Sequence, residues 1–154
     1  MLIPDFLVET KLLYFDKNTL VIRAITIEKE SAAYNACQLL FDDKKMLFRT
    51  AKTTPTKIGQ FVTLWKRIKN GPIAPFDDTD NINAVIIQTK VNNRSGLFVF
   101  PVAVLIEKGI ISTDKKEGKR AIRVYPSWDK TISKQAQKSQ EWQLDYFLEI
   151  PSSI

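Results

Sequence analysis

The chain of 154 residues is about the length of one domain, and its 44% hydrophobic and 26% charged residues are typical of a globular protein. One cysteine and no histidine exclude a disulfide framework, Ser-His-Asp and Cys-His catalysis, and the commonest metal ligand. No stretch approaches the ~18 apolar residues of a membrane span, and acids near the N-terminus do not fit a secretory signal. We therefore expect a protein of the reducing cytoplasm, with no membrane partner.

The N-terminal third predicts one helix and three strands. Apolar residues at helical spacing over 3–15 predict an opening helix. Residues 19–28 alternate around Arg23 and predict a strand, and residues 34–52 predict two strands joined by a polar turn at 42–45.

The next segment, from Thr54 to Asn70, predicts an amphipathic helix. The hydroxyl of Thr54 is a suitable N-cap, and Pro55 suits the first helical position. Asn70 and the Gly-Pro pair after it predict the end of the helix. One apolar stripe results at this spacing, formed by Ile58, Phe61, Val62, Trp65 and Ile68.

The rest of the chain alternates between strands and helices. In order, the patterns predict an acidic loop at 71–81, strands at 84–90 and 96–100, a short helix after Pro101, a basic turn and strand over 115–126, and a helix over 133–150. This mixed order, with its hairpins, favours an α+β fold over a doubly wound parallel sheet. We expect one domain over residues 1–154, with a mixed, mostly antiparallel sheet and flanking helices.

The net charge of +6 is unevenly distributed, because positions 44–76 hold eight lysines and arginines and no acid. Lys66 and Arg67 suit the C-terminal end of the predicted helix, where cations stabilise the dipole. Arg49, Lys52 and Lys57 approach its N-terminal end, where cations are unfavourable unless an anion is also bound. The alternative is a solvated helix face.

A second basic segment follows the turn at Gly118. Strand alternation places Lys119 and Arg123 on one side, and an arginine there can hold a phosphate in bidentate fashion. The alternative is a charged sheet edge that prevents strand pairing. Together the two segments predict one basic surface. Its expected anion-contacting residues are Arg49, Lys52, Thr54, Lys57, Gln60, Lys66, Arg67, Lys119, Arg120, Arg123 and Trp128.

The three tryptophans have different expected positions. Trp65 lies on the apolar stripe and Trp142 leads into an apolar segment, so we expect both in the core. Trp128, close to Tyr125, is the candidate for exposed stacking on a base.

The acids give little indication of a metal site. Asp77, Asp78 and Asp80 fit a solvated turn better than a magnesium site. A restriction-type nuclease needs an acid-x-Lys triplet, but the segment ending at Lys52 begins with Thr50. We expect neither a metal nor a cofactor.

Several long blocks resemble one family. The segments LFRTAKTTPTKIGQFVTLWKR, GPIAPFD, GLFVFP, GKRAIRVYPSWD and QAQKSQEWQLDYF are similar, in this order, to MepB-like bacterial proteins over residues 28 to 148. The resemblance implies a cytoplasmic α+β protein, often encoded near multidrug-efflux genes, with nucleic-acid binding. It draws attention to Gln143 as well as the cations above. One departure is Val102, where the family has lysine, which predicts a weaker or altered anion site.

The leading expectation is a non-enzymatic nucleic-acid-binding protein, with DNA favoured over RNA. Two alternatives remain open: a pocket for a small anionic or phosphorylated ligand, and a degenerate nuclease-like enzyme.

Overall fold

A computed structural model of the chain describes residues 1–151. Its α-helices are α1 (Asp5–Thr10), α2 (Val102–Glu107) and α3 (Lys134–Gln143). Its strands are β1 (Ala24–Ile27), β2 (Cys37–Leu40), β3 (Lys45–Thr50), β4 (Lys52–Thr54), β5 (Lys57–Thr63), β6 (Trp65–Arg67), β7 (Ile73–Pro75), β8 (Ala84–Val91), β9 (Arg94–Pro101), β10 (Ala121–Val124) and β11 (Phe147–Ile150). None of these helices is both long and apolar enough to cross a bilayer.

The main sheet has six strands in the order β1-β2-β3-β8-β9-β11. All neighbours are antiparallel except β3 and β8, which are parallel. The predicted hairpins β2–β3 and β8–β9, the short helix after Pro101 and the strand after the basic turn are all confirmed. The predicted α+β fold with a mixed, mostly antiparallel sheet is therefore confirmed.

Hydrophobic cores cover both faces of this sheet. On one face, α1 and the turns that extend it place Leu7 and Phe15 against the sheet. On the other, Val85 and Ile87 of β8 pack with α2 and with a second, three-stranded sheet. Burial of both faces explains why the first four residues of β8 are all apolar instead of alternating with polar ones.

The second sheet has the order β10-β5-β4 and corrects one sequence prediction. The predicted helix from Thr54 to Asn70 is wrong, because this segment forms β4, β5 and β6. Pro55 and Thr56 form the two-residue turn between β4 and β5. Without a helix, neither an N-cap at Thr54 nor a dipole at Lys66 exists.

The pairing of strands explains why the helical pattern was misleading. Gln60, Val62 and Leu64 are buried while the residues between them face outward, which is the period of two of a strand. The segment is rich in threonine and other β-branched residues, which favour strands. Gly59, at φ 86°, lies in a bulge that shifts the register between β4 and β5.

The predicted C-terminal helix is correct only in its first part. The α3 helix ends at Gln143, a 3-10 turn follows, and β11 then pairs with β9 at the sheet edge. The ring of Phe147 lies directly over Gly96, where an added Cβ would collide with the ring. This contact between distant residues selects the strand and leaves no local trace in the sequence.

Candidate functional site

A surface groove runs between β10 and α3. It consists of two adjoining depressions of about 300 and 280 Å³, which share Arg123, Tyr125, Ser133 and Ala136 in their walls. We call these two depressions the α3 groove. A third depression of about 470 Å³ adjoins it and shares Lys108 and Trp142. Since α3 has ten residues, the groove follows a helix about 15 Å long.

Four cations line the α3 groove: Lys57, Lys108, Lys119 and Arg123. Among the described residues, no aspartate or glutamate lines it, and none of the four cations forms a salt bridge. The three lysines are exposed. Acids enter only in the third depression, as Glu141 and Asp145. The groove is therefore a region of uncompensated positive charge.

Arg123 is held in a fixed position within the groove. Its Nη1 donates to Thr54 Oγ1 at 3.1 Å, to the Ile58 carbonyl at 3.3 Å and to the Gly59 carbonyl at 3.2 Å. The bulge at Gly59 turns the backbone so that these carbonyls meet the guanidinium. Nε and Nη2 form no hydrogen bond within residues 1–151, so the remaining edge of the guanidinium is available to an anion.

Two glutamines fix α3 against β10. Gln143 accepts a hydrogen bond from the Tyr125 backbone N–H at 2.9 Å and donates to the Arg123 carbonyl at 3.0 Å. Gln140 donates to the carbonyls of Pro126 at 3.0 Å and Asp129 at 2.8 Å. Gln143 is buried, which gives this residue of the family resemblance a positioning role behind the groove.

Two aromatic side chains also line the groove. The ring of Tyr125 packs on the backbone of Gly59, where an added Cβ would be 2.6 Å from the ring. Trp142 packs against the core through Phe100, with ring centroids 5.3 Å apart, and the Lys108 Nζ lies 5.6 Å from its ring centroid. Both rings are half-buried, so each combines a fixed inner side with accessible surface.

The predicted strand alternation around Arg123 is confirmed. Lys119, Ala121 and Arg123 line the same depression, while Ile122 and Val124 are buried beneath them. Lys57, the first residue of β5, lines the adjoining depression together with Arg123. Three of the expected anion-contacting cations are thus brought together, and Thr54 supports them as an acceptor for Arg123.

Arg49 lies elsewhere, in the core. Its side chain is 0% exposed, and its Nη2 is 2.6 Å from Glu28 Oε2. Its Nη1 donates to the Phe48 carbonyl. Burial lowers the pKa of the Arg49 guanidinium, and the charge of Glu28 opposes that shift. Arg49 is therefore a structural ion-pair residue and contributes no surface to an anion site.

Lys66 and Arg67 are neutralised by neighbouring acids. Lys66 Nζ lies 2.8 Å from Asp77 Oδ2 and 2.9 Å from Asp80 Oδ1. Hydrogen bonds from Lys66 and from Thr79 lower the pKa of Asp77 to about 2. Arg67 Nε lies 2.6 Å from Glu30 Oε1. These contacts replace the helix-dipole role expected for Lys66 and Arg67.

The remaining expected residues are dispersed. Lys52 is exposed, with its Nζ 5.2 Å from the ring centroid of Tyr34. Gln60 is buried and donates to Thr53 Oγ1 and the Lys90 carbonyl. Arg120 pairs with Glu117 at 3.1 Å.

Trp128 does not present a free stacking face. It is half-buried, with the Arg94 guanidinium 4.9 Å from its ring centroid and Phe147 against its edge. It lines none of the depressions that form the groove. The expectations for the other tryptophans are met in part, since Trp142 packs on the core and Trp65 is half-buried on β6.

The acidic loop forms a hydrogen-bonded turn. Asp77 accepts from the backbone N–H of Thr79, and its own N–H donates to Asp80. Within residues 1–151, no three cysteine, aspartate or glutamate side chains are grouped so that they could hold a metal ion. Thr50, where a nuclease triplet would carry its acid, is hydrogen-bonded to Asn35 and Gln88.

Lys108 and Trp142 were not expected in the site. Lys108 directly follows α2 and lines the groove because α2 lies close to β10 and α3 in the folded chain. No local sequence signal therefore identifies it. Trp142 was interpreted as a core residue, and its half-exposed ring is visible only once α3 is placed on β10. Val102, at the departure from the family pattern, packs partly buried against the core instead of facing the groove.

Comparison with known proteins agrees with the architecture. No curated protein matches the chain. A solved structure described as the crystal structure of MepB has a TM-score of 0.81 and 33% identity, covering 96% of this chain and 97% of that chain. A family model described as MepB-like matches residues 28–149. The chain belongs to the MepB-like family.

Proposed function

We propose that this protein binds nucleic acid non-enzymatically through the α3 groove. One observation carries the proposal: among the described residues, Arg123 forms hydrogen bonds through Nη1 alone, in a groove lined by three lysines and no acid. Arginine and lysine are the usual contacts to phosphate oxygens. A guanidinium already fixed in place loses little conformational entropy on binding.

The shape of the groove favours a polymer over a small anion. The two depressions overlap at Arg123 and Tyr125 and open to solvent, and a third adjoins the first at Lys108 and Trp142. A small phosphorylated ligand is best held by cations that converge on one point. Here the four cations are distributed over both depressions, with only Arg123 shared.

The groove residues support binding rather than cleavage. Its walls carry lysines, an arginine, serines, glutamines and aromatic rings, but no carboxylate among the described residues to act as general base or metal ligand. We propose the bacterial cytoplasm as the compartment, on the basis of family membership.

Fluorescence anisotropy with labelled DNA tests the proposal, with RNA of the same sequence as a second arm. The wild type is expected to bind, and Arg123→Gln to weaken binding by roughly tenfold, as expected for a charge-assisted contact of about 1.5 kcal/mol. Arg94→Gln is the matched control, because it removes the same charge from a residue paired with Glu149 outside the groove. Its affinity should equal that of the wild type.

Three outcomes decide among the alternatives. Equal weakening by Arg123→Gln and Arg94→Gln would mean that only net charge matters, which contradicts the proposal. Full displacement of the oligonucleotide by millimolar inorganic phosphate or mononucleotide would favour the small-anion pocket. Cleavage of the labelled strand on incubation with Mg²⁺ or Mn²⁺ would restore the nuclease alternative.

A further inference from the structure

We propose that the α3 groove selects single-stranded over duplex nucleic acid, with Tyr125 and Trp142 as the residues on which bases stack. The inference rests on the proposed function and specifies its ligand. One depression of the α3 groove is lined by both rings and the other by Tyr125, in each case beside cations. A positively charged groove that also carries aromatic rings is the arrangement that binds the backbone and bases of a single strand.

The two rings are fixed in ways that suit stacking. Tyr125 is held from behind by Gly59, whose missing side chain lets the ring lie on the backbone. Its backbone N–H is held by Gln143. No hydrogen bond of the Tyr125 hydroxyl is present within residues 1–151, so no such bond restrains the outer end of the ring.

Trp142 provides the second platform. Its ring is supported by Phe100 in the core and approached by Lys108, whose exposed side chain is long and flexible. A base entering the groove can take the place of the Lys108 ammonium over the ring, while the ammonium moves to a phosphate of the same nucleotide. The strand then gains one stacking contact and one charge contact together.

A duplex cannot use these rings. Its bases are stacked and paired inside the helix, so they cannot reach aromatic side chains in a protein groove without being unpaired, at a cost of a few kcal/mol. A duplex would contact only the exposed lysines through its phosphates. Single strands of the same sequence therefore gain stacking that duplexes lack.

The experiment compares a single strand and a duplex of the same sequence, about 12 nucleotides long. The single strand is expected to bind wild type roughly tenfold or more tightly, because stacking contributes about 1–3 kcal/mol per base. Tyr125→Leu should weaken single-strand binding by about fivefold to 150-fold and leave duplex binding unchanged. Tyr125→Phe, which keeps the ring, should bind like the wild type.

Tryptophan fluorescence gives a second readout that leaves Trp142 in place, since replacement of this core-packed residue would also lower the stability of the fold. In the variant Trp65→Phe, Trp128→Phe, the remaining emission of Trp142 should be quenched by the single strand and not by the duplex. Quenching by both, or by neither, contradicts stacking on Trp142.

The outcomes separate this inference from the proposed function. If duplex binds as tightly as single strand and Tyr125→Leu changes nothing, while Arg123→Gln still weakens binding, the inference is wrong and the proposed function stands. If neither form binds wild type, or Arg123→Gln has no effect, the proposed function fails with it.

Discussion

Replacement of Arg49 by methionine tests whether this residue stabilises the fold or binds an anion. Its side chain is 0% exposed, and its partner Glu28 is 17% exposed. Removal of one member of a buried ion pair typically costs about 3–5 kcal/mol, because the other charge loses its partner. We expect Arg49→Met to lose about 3 kcal/mol of unfolding free energy, at the low end because Glu28 keeps some contact with water. That loss corresponds to a Tm lower by about 6–12 °C.

Urea denaturation followed by circular dichroism measures this loss. The double variant Arg49→Met, Glu28→Gln removes the uncompensated charge and should recover much of the stability. Oligonucleotide affinity of the folded variants should match that of the wild type. The reasoning is refuted if Arg49→Met loses less than about 1 kcal/mol, or if it abolishes binding while stability is unchanged.

Two further predictions concern other contacts. Lys66→Met should lower the free energy of unfolding at neutral pH, and the difference in this free energy from the wild type should shrink as pH falls from 4 to 2. The folded-state pKa of Asp77 is lowered from 3.8 to about 2, so the stabilisation by the ion pair is lost as this carboxylate is protonated. A difference that stays constant in acid titrations of both proteins would argue against this ion pair. Gly96→Ala should lower the free energy of unfolding by about 1–3 kcal/mol, because the new methyl group collides with the ring of Phe147. Phe147→Leu should lower it less in the Gly96→Ala protein than in the wild type, because the two residues are in contact. Strictly additive losses in urea denaturation would contradict this packing.

The predictable parts of the fold are those whose pattern is local. The β8–β9 hairpin is bounded by a polar turn, and Ile122 and Val124 alternate with Lys119 and Arg123 in the way that strand geometry requires. The prediction for the β5 segment was wrong for an equally physical reason. Its bulge at Gly59 interrupts the period of two, and its true partners, β4 and β10, lie on either side, β10 almost sixty residues later.

The positive charge of the candidate site was predictable from the sequence, but the residues that line the site were not. The predicted helix terminus does not exist, yet Lys57 and Arg123 line one depression, because Lys57 begins β5 directly after the β4–β5 turn. The basic run around Arg49 mixed exposed, paired and buried cations, which only their partners distinguish. Glu28 precedes Arg49 by twenty-one residues, so no spacing rule connects them.

The dependence of affinity on salt tests the central claim most directly. If Lys57, Lys108, Lys119 and Arg123 each neutralise one phosphate of a single strand, log K plotted against log salt should have a slope of about −2.8, a loss of ~50-fold between about 50 and 200 mM. Arg123→Gln should reduce the slope to about −2.1, and Arg94→Gln should leave it unchanged. A slope near zero for the wild type, or the same slope for Arg123→Gln as for the wild type, would contradict phosphate binding in the α3 groove.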